Sequence, residues 1–234
     1  MRVGAVVQAR MGSTRLPGKV LMELDGRPAL DYLLERLRHA QTPDAVIVAT
    51  SVQPADDAIA RHCAAAGVRC HRGAHDDVAA RLLAGAEAAG LDALVRVNGD
   101  SPLLDQALVD RGVRLFRQGG RDLVTNVHPR SFPRGQSVEV IDCASLRGVL
   151  SRLSAQDREH VTAGLYRDPD GLTIENFDAG ADGMGPDGGE TRLVLDTPQD
   201  ARSIEAVLRA MRRPHWQHGW TEVLALARAQ AVPS

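Results

Sequence analysis

Val3-Gly-Ala-Val-Val-Gln8, followed directly by Ala9-Arg-Met-Gly-Ser-Thr-Arg-Leu-Pro-Gly-Lys19, decides how this chain reads. The first six residues are short, apolar and rich in valine, the pattern of a strand buried on both faces. The next eleven break that pattern with two glycines, a proline and three cations. Beyond Pro28 the period turns helical, with Leu30, Leu33, Leu34 and Leu37 on one stripe, and Ala45–Thr50 reads as a second buried strand. The alternation then continues: a helix over 55–66, a strand at Val68–His71, a helix over Asp77–Ala89, a strand at Ala93–Val97, a helix over Gln106–Arg117 and a strand near Leu123. Strands alternating with helices through short connections predict an α/β fold, a mostly parallel sheet sandwiched by helices.

After Leu123 the rhythm changes. Residues 126–190 hold Pro129, Pro133 and Gly135, a strand candidate at Val138–Ile141, a helical stretch over Ser145–Leu165 and a glycine-rich segment, Ala179–Gly189, that reads as a flexible loop. Thr191–Leu195 returns to the buried-strand pattern with Asp196 at its end. Pro198 opens a helix to about Met211, and a last helix covers Thr221–Ala229. The expectation is one domain over 1–234, with 126–190 as an insert within it.

Composition narrows the function. The 234 residues, 44% hydrophobic and 25% charged, suffice for a sizeable core without disulfides or structural metal. The formal net charge of −2 gives no global field to attract nucleic acid or an anionic membrane, so an anion site must be local. Cys63, Cys70 and Cys143 form no C-x-x-C pair and read as small buried residues. Val3–Val7 is too short for a signal-peptide core and no eighteen apolar residues follow one another, which places the protein in the cytoplasm.

The local anion site is the first loop. Residues 1–22 carry Arg2, Arg10, Arg15 and Lys19 and no acidic residue, and Lys19 is the only lysine in the chain. Gly12 and Gly18 let the backbone approach a ligand, and Arg10, Arg15 and Lys19 would neutralise several phosphate oxygens. Two other phosphate loops are excluded. Five residues rather than four separate Gly12 from Gly18-Lys19, and Val20 follows where a Walker A loop needs Ser or Thr. G-x-G-x-x-G is absent after the first strand.

The string Ala9–Lys19 resembles the signature loop of the cytidylyltransferases that make CMP-activated N-acylneuraminate and 3-deoxy-manno-octulosonate, with the match closest to the spore-coat polysaccharide biosynthesis branch. Further matches follow in the family's order: Val48-Ala-Thr-Ser51, His71-Arg-Gly to Asp76-Asp-Val78, Val95-Arg-Val-Asn-Gly-Asp-Ser-Pro-Leu-Leu104, Val138-Glu-Val140, Arg158-Glu-His-Val-Thr162 and Leu195-Asp-Thr-Pro-Gln-Asp200. The resemblance implies a Rossmann-like nucleotidyltransferase fold and transfer of CMP from CTP to an acidic sugar with release of pyrophosphate. It implies that Ala9, Arg10, Met11, Gly12, Ser13, Arg15 and Lys19 cradle the triphosphate, with Lys19, Arg15 and Asp100 catalytic. It places Ala49, Thr50 and Ser51 near the cytosine, although a strand-end Thr-Ser also serves as a helix cap. Asn98 and Gly99 join the nucleotide site. Asp100 and Asp196 become Mg²⁺ ligands, the use carboxylates have beside a triphosphate; each has an alternative reading as a helix N-cap.

Arg72 and Asp77 are implied as contacts to nucleotide or acceptor, with a structural salt bridge as the alternative. Glu139, Arg158 and His160 fall in the region that covers the acceptor and contributes to a homodimer in this family; an Arg and a His there also suit helix capping. One departure stands out. The branch has Gly-Leu-Asp before its Val-Glu-Val, and this chain has Gly135-Gln136-Ser137, which opens the alternative of a phosphonate or other small anionic acceptor. A non-catalytic nucleotide-binding homologue is the other alternative, and the intact Lys19, Asp100 and Asp196 count against it. The cationic loop His128–Arg134 is a further candidate for the acceptor's anionic group, while His215 and His218 lack a third partner that would make them a metal site.

Overall fold

The computed structural model describes residues 1–154, 157–158, 161–167, 169, 171–187 and 189–230. Its strands are β1 (Val3–Gln8), β2 (Glu23–Leu24), β3 (Arg27–Pro28), β4 (Ala45–Ser51), β5 (Arg69–Gly73), β6 (Ala93–Asn98), β7 (Leu123–Thr125), β8 (Glu139–Asp142) and β9 (Ile174–Asn176). Its helices are α1 (Ala29–Arg38), α2 (Asp57–Ala65), α3 (Val78–Ala88), α4 (Gln106–Arg117), α5 (Cys143–Leu150), α6 (Ala163–Arg167), α7 (Pro198–Ala210) and α8 (Trp220–Gln230). Short 3₁₀ turns occupy Lys19–Leu21, Pro54–Asp56, Ala179–Asp182 and His215–Gln217.

Seven strands form one sheet in the order β5-β4-β1-β6-β8-β7-β9, and β2 and β3 form a separate hairpin. β1 lies between β4 and β6 and is parallel to both, with Val6 opposite Ile47 on one side and Arg96 on the other. β5 extends the parallel set, β8 runs antiparallel to β6 and β7, and β9 pairs parallel with β7. The 126–190 region therefore supplies two strands of the main sheet.

The strand period of two sorts β1 onto two cores. Val3, Ala5 and Val7 pack with Leu30, Leu33 and Leu37 of α1, Ile59 of α2 and Val109 and Val113 of α4. Val6, on the opposite face, packs with Leu82 and Ala86 of α3 and Leu146 of α5. Gly4 keeps this second face open, since a Cβ there would lie 2.5 Å from Leu91 Cδ1 and 3.2 Å from the Ala45 carbonyl. A third cluster joins Leu24, Tyr32, Leu193, Leu195, Ile204, Val207 and Val223 beside the sheet.

That cluster corrects one expectation. Thr191–Leu195 is not a sheet strand. Only Arg192 makes a bridge, to Arg134, and the buried Leu193 and Leu195 answer to α7 and α8 rather than to a ladder. The helix expected over Ser145–Leu165 is also interrupted: α5 ends at Leu150, with Asp142 as its N-cap accepting from the Ser145 amide at 2.7 Å. Within Ala179–Gly189, read as a flexible loop, Asp178 caps a 3₁₀ turn by accepting from the Gly180 amide.

Candidate active site

The carboxyl ends of β1 and β6, the loop after each and the segment before α7 enclose a cleft of about 340 Å³. This is the edge where ligands bind in open α/β sheets. The first loop is pinned at Met11, whose amide donates to Asp56 at 2.7 Å and whose carbonyl accepts from both the Ser13 and Gly18 amides at 2.9 Å. Leu16 and Val20 anchor it in the interior, and Gly18 turns it at φ +73°, a left-handed conformation that L side chains rarely adopt. The cationic tips between these anchors face the cleft.

Close backbone contact brings β6 to the same place. The Gly99 amide donates to the Gln8 carbonyl at 2.9 Å, and a Cβ on Gly99 would sit 2.9 Å from that oxygen. Asp100 follows immediately. Its carbonyl accepts from the Leu195 amide at 2.8 Å, which draws Asp196 alongside.

Lys19 joins the three segments. Its Nζ lies 2.6 Å from Asp100 Oδ2 and 2.7 Å from Asp196 Oδ1, and Arg15 reaches the other Asp196 oxygen at 3.1 Å. Neither aspartate is a helix cap. Thr197 caps α7 in a reciprocal box with Asp200, and Asp105 caps α4. Burial opposes ionisation of Asp196, yet the hydrogen bond and charge of Lys19, then Arg15 and Arg192, hold its carboxyl below the usual range.

Five cationic side chains, Arg10, Arg15, Lys19, Arg81 and Arg96, line the cleft against two carboxylates, Asp100 and Asp196. A polyanion would balance that excess. The donor set also fits a hard divalent cation: two carboxylate oxygens already converge on one cationic atom, and magnesium takes one or two carboxylates, phosphate oxygens and water. Among the described residues no group of three or more His, Cys, Asp or Glu could hold a metal, so the remaining ligands would come from the nucleotide and solvent.

Ala9, Arg10, Gly12, Ser13, Arg15, Lys19, Asn98, Gly99, Asp100 and Asp196 are thus brought together at the cleft, and the Asn98 Oδ1 is buried without a partner. Met11 instead packs against the core. Ala49, Thr50 and Ser51 are fully buried at the end of β4 and do not line the cleft; the Ser51 hydroxyl donates to Asp56 and accepts from the Gln53 amide at 3.1 Å. Arg72 pairs with Asp57 at 2.7 Å and donates to the Ser51 carbonyl at 3.0 Å. Asp77 caps α3 and pairs with Arg158, so those two meet each other outside the cleft. Glu139 is buried beside Arg96 at 2.6 Å and accepts from the Tyr166 hydroxyl. His160 lies outside the described residues.

Arg81 and Arg96 were not anticipated. Arg81, 2% exposed, donates to the His75 carbonyl at 3.0 Å and keeps a buried, unpartnered Nε. Burial, then the nearby Arg10 charge, lowers its pKa from the ordinary arginine value. Arg96 stands directly opposite Glu139 across β6 and β8. Both carry a readable signal, a charge inside an otherwise apolar helix stripe or strand, which must find a partner when buried.

Known proteins resemble this chain over most of its length. Residues 5–213 match a family model described as cytidylyltransferase. The spore coat polysaccharide biosynthesis protein SpsF of Bacillus subtilis (strain 168) is 34% identical over 217 residues, 89% of this chain and 88% of that protein. The 3-deoxy-manno-octulosonate cytidylyltransferase of Pelobacter propionicus is 34% identical over 116 residues, 49% of this chain and 44% of its own. Among solved structures, a cytidylyltransferase from Leptospira borgpetersenii serovar Hardjo-bovis superposes with a TM-score of 0.89 at 27% identity over 100% of both chains. A CMP:2-keto-3-deoxy-manno-octonic acid synthetase complexed with CTP shares the fold, with a TM-score of 0.66 at 19% identity over 89% of this chain and 99% of that one. Among the described residues no helix is long and apolar enough to cross a membrane.

Proposed function

The chain belongs to the cytidylyltransferase family, and from that premise we propose that it transfers CMP from CTP to a nonulosonic or related 2-keto sugar acid, with Mg²⁺ and release of pyrophosphate. The observation that carries the reading is Lys19, shared between Asp100 and Asp196 in a cleft otherwise lined by arginines. The 3-deoxy-manno-octulosonate enzyme, similar over about half of this chain, supports the sugar-acid acceptor, and SpsF, similar over most of it, supports a role in polysaccharide biosynthesis. The reading extends to a cytoplasmic homodimer, with residues 126–190 covering the acceptor.

In this mechanism an acceptor hydroxyl oxygen attacks the α-phosphorus of CTP in line. A new P–O bond forms, the bond to the bridging oxygen of the β-phosphate breaks, and the proton of the acceptor hydroxyl passes to solvent. Arg10, Arg15 and Lys19 bind the phosphates and neutralise charge that grows on the leaving pyrophosphate. Asp100 and Asp196 would hold Mg²⁺, which when bound supplies further charge neutralisation between nucleophile and leaving group. Movement of the Lys19 ammonium from the carboxylates to a phosphate oxygen accompanies nucleotide entry. Asn98, with its orphaned Oδ1 at the cleft, orients a donor of the substrate.

A second reading changes the acceptor to a phosphonate or another small anionic metabolite. Ser137 favours it, because its hydroxyl accepts from Arg130 Nη2 at 3.1 Å where the branch has a carboxylate, and Arg130 Nη1 is buried with no partner. The test begins with thermal stabilisation by CTP, UTP, ATP and GTP, each with Mg²⁺ and with EDTA. A selective, Mg²⁺-enhanced shift with CTP is expected. Pyrophosphate release is then assayed with sugar acids and phosphonates; turnover of only phosphonates replaces the first reading with the second, and a shift with another nucleotide overturns the base assignment.

A further inference from the structure

Asp196 has no ladder beneath it. Thr191–Leu195 lies outside the main sheet; the Leu195 amide on the Asp100 carbonyl places its backbone, and side chains must aim the carboxylate at the point it shares with Asp100. The structure holds it from the far side. Arg192 forms a fork on Asp200, Nε to Oδ1 at 2.9 Å and Nη2 to Oδ2 at 3.0 Å, and the same Nη2 reaches Asp196 Oδ2 at 3.3 Å. Asp200 Oδ2 in turn accepts from the backbone amides of Asp196 at 3.1 Å and Thr197 at 2.8 Å. Asp200 is 6% exposed, and both residues line a separate groove with Gln199, Ile204 and Arg228, not the phosphate cleft.

A helix cap alone does not need this arrangement. Thr197 and Asp200 complete the capping box of α7 by themselves. The contact that capping leaves unexplained is Arg192 to Asp196 Oδ2, an oxygen that Arg15 also reaches from the cleft at 3.1 Å; the two arginines together leave Oδ1 to Lys19. We propose that Arg192 and Asp200 are positioning residues for Asp196, a pair outside the cleft that fixes which oxygen faces the metal-nucleotide site. The inference rests on the reading of Asp100 and Asp196 as metal ligands. Partners that orient a ligating carboxylate affect metal affinity by about 10–100-fold when removed.

The test is calorimetric binding of CTP to the whole protein with Mg²⁺ and with EDTA, the ratio of the two affinities measuring how strongly metal and nucleotide are coupled. It needs no acceptor and no turnover. Arg192→Met and Asp200→Asn are expected to lower the Mg²⁺ enhancement by about 10-fold or more while leaving the affinity in EDTA near that of the wild type. Arg192→Lys keeps the charge and loses the fork, and it carries the test where the methionine variant fails to fold. Thr197→Ala weakens the cap alone, so it should lower the melting temperature and leave the enhancement intact.

An unchanged enhancement in the Arg192 and Asp200 variants, with only a lower melting temperature, reduces the pair to a cap and overturns the inference. Equal loss in Thr197→Ala does the same. Asp196→Ala separates the two levels: if it keeps the full enhancement, the ligand reading of Asp196 fails whatever the other variants do.

Discussion

Asp100 and Asp196 reach the same lysine from opposite kinds of structure. Asp100 follows β6, a strand paired on both sides, by β1 and by β8, along most of its length. Asp196 follows an unladdered segment and is steadied by the side chains of Arg192 and Asp200. A sheet-borne carboxylate inherits its position from the fold, whereas a loop-borne one depends on a local polar network. The difference predicts that damage near β6 appears first as lost stability, and damage near α7 first as lost metal coupling. It also allows the two halves of one site to be perturbed separately.

The largest stability effect should come from the β6 side. Glu139, which is buried, pairs with the partly buried Arg96 at 2.6 Å across β6 and β8, and Glu139→Ala leaves that guanidinium without its counter-charge. Breaking a fully buried pair costs about 3–5 kcal/mol, and this one, open to the cleft on the arginine side, should cost less, about 2–3 kcal/mol. Urea unfolding of this variant against the wild type measures the loss, and a change below about 1 kcal/mol would show that β6 is less rigid than its pairing implies. Next come the site residues themselves. Lys19→Ala and Asp100→Ala should each reduce the rate of pyrophosphate release by about 10²–10³-fold, the usual effect of deleting one preorganised charge contact, with the melting temperature little altered. Near wild-type turnover in either would remove it from the mechanism.

Gly99→Ala tests the junction between the two halves. The new Cβ would stand 2.9 Å from the Gln8 carbonyl and 3.2 Å from Ala9 Cβ, so β6 must move away from the first loop. Overpacking of this kind costs about 1–3 kcal/mol. CTP affinity should fall as well, because Asp100 and the first loop separate. Measured together, thermal melting and CTP calorimetry distinguish a displaced junction, in which both fall, from a tolerated methyl, in which neither does.

The same contrast explains what was legible in the sequence. β1 and the cationic loop were readable because their signal is contiguous: an apolar run, then glycines and cations over Ala9–Lys19. The placement of Asp100 at the ligand edge was also readable, from the strand-end rule and the family resemblance, whereas that of Asp196 rests on the resemblance alone, since the segment before it is not a sheet strand. Their convergence on one ammonium was not readable, since the contacts span 81 and 177 residues of chain. Leu193 and Leu195 read as strand because alternation reports burial, and burial against α7 looks the same as burial in a sheet. Arg72 and Asp77 form ion pairs with Asp57 and Arg158, partners that a single sequence does not disclose. The signal of Arg81 and Arg96, a charge in an apolar pattern, is readable, but their shared cleft is not, since they stand on α3 and β6.

The smallest expected effect lies in the network under Asp196, and its sign follows from linkage. Burial opposes ionisation of Asp200, but the hydrogen bonds from Arg192 and Thr197 and the Arg192 charge outweigh it, and the folded-state pKa falls below the ordinary carboxylate value. A group depressed in this way contributes stability that is fully present above its unfolded value, about 3.9, and is lost as pH falls through the folded value. Asp200→Asn should therefore be less stable than the wild type at neutral pH and converge with it in acid. Thr197→Ala, which removes a hydroxyl partner of Asp200 and half of the capping box, should cost about 1 kcal/mol at neutral pH. Urea unfolding in EDTA from pH 7 downward measures both without any contribution from metal. If the Asp200→Asn difference stays constant into acid, the carboxylate's charge does not stabilise the α7 end, and the steadiness of Asp196 must come from the buried leucines beside it instead.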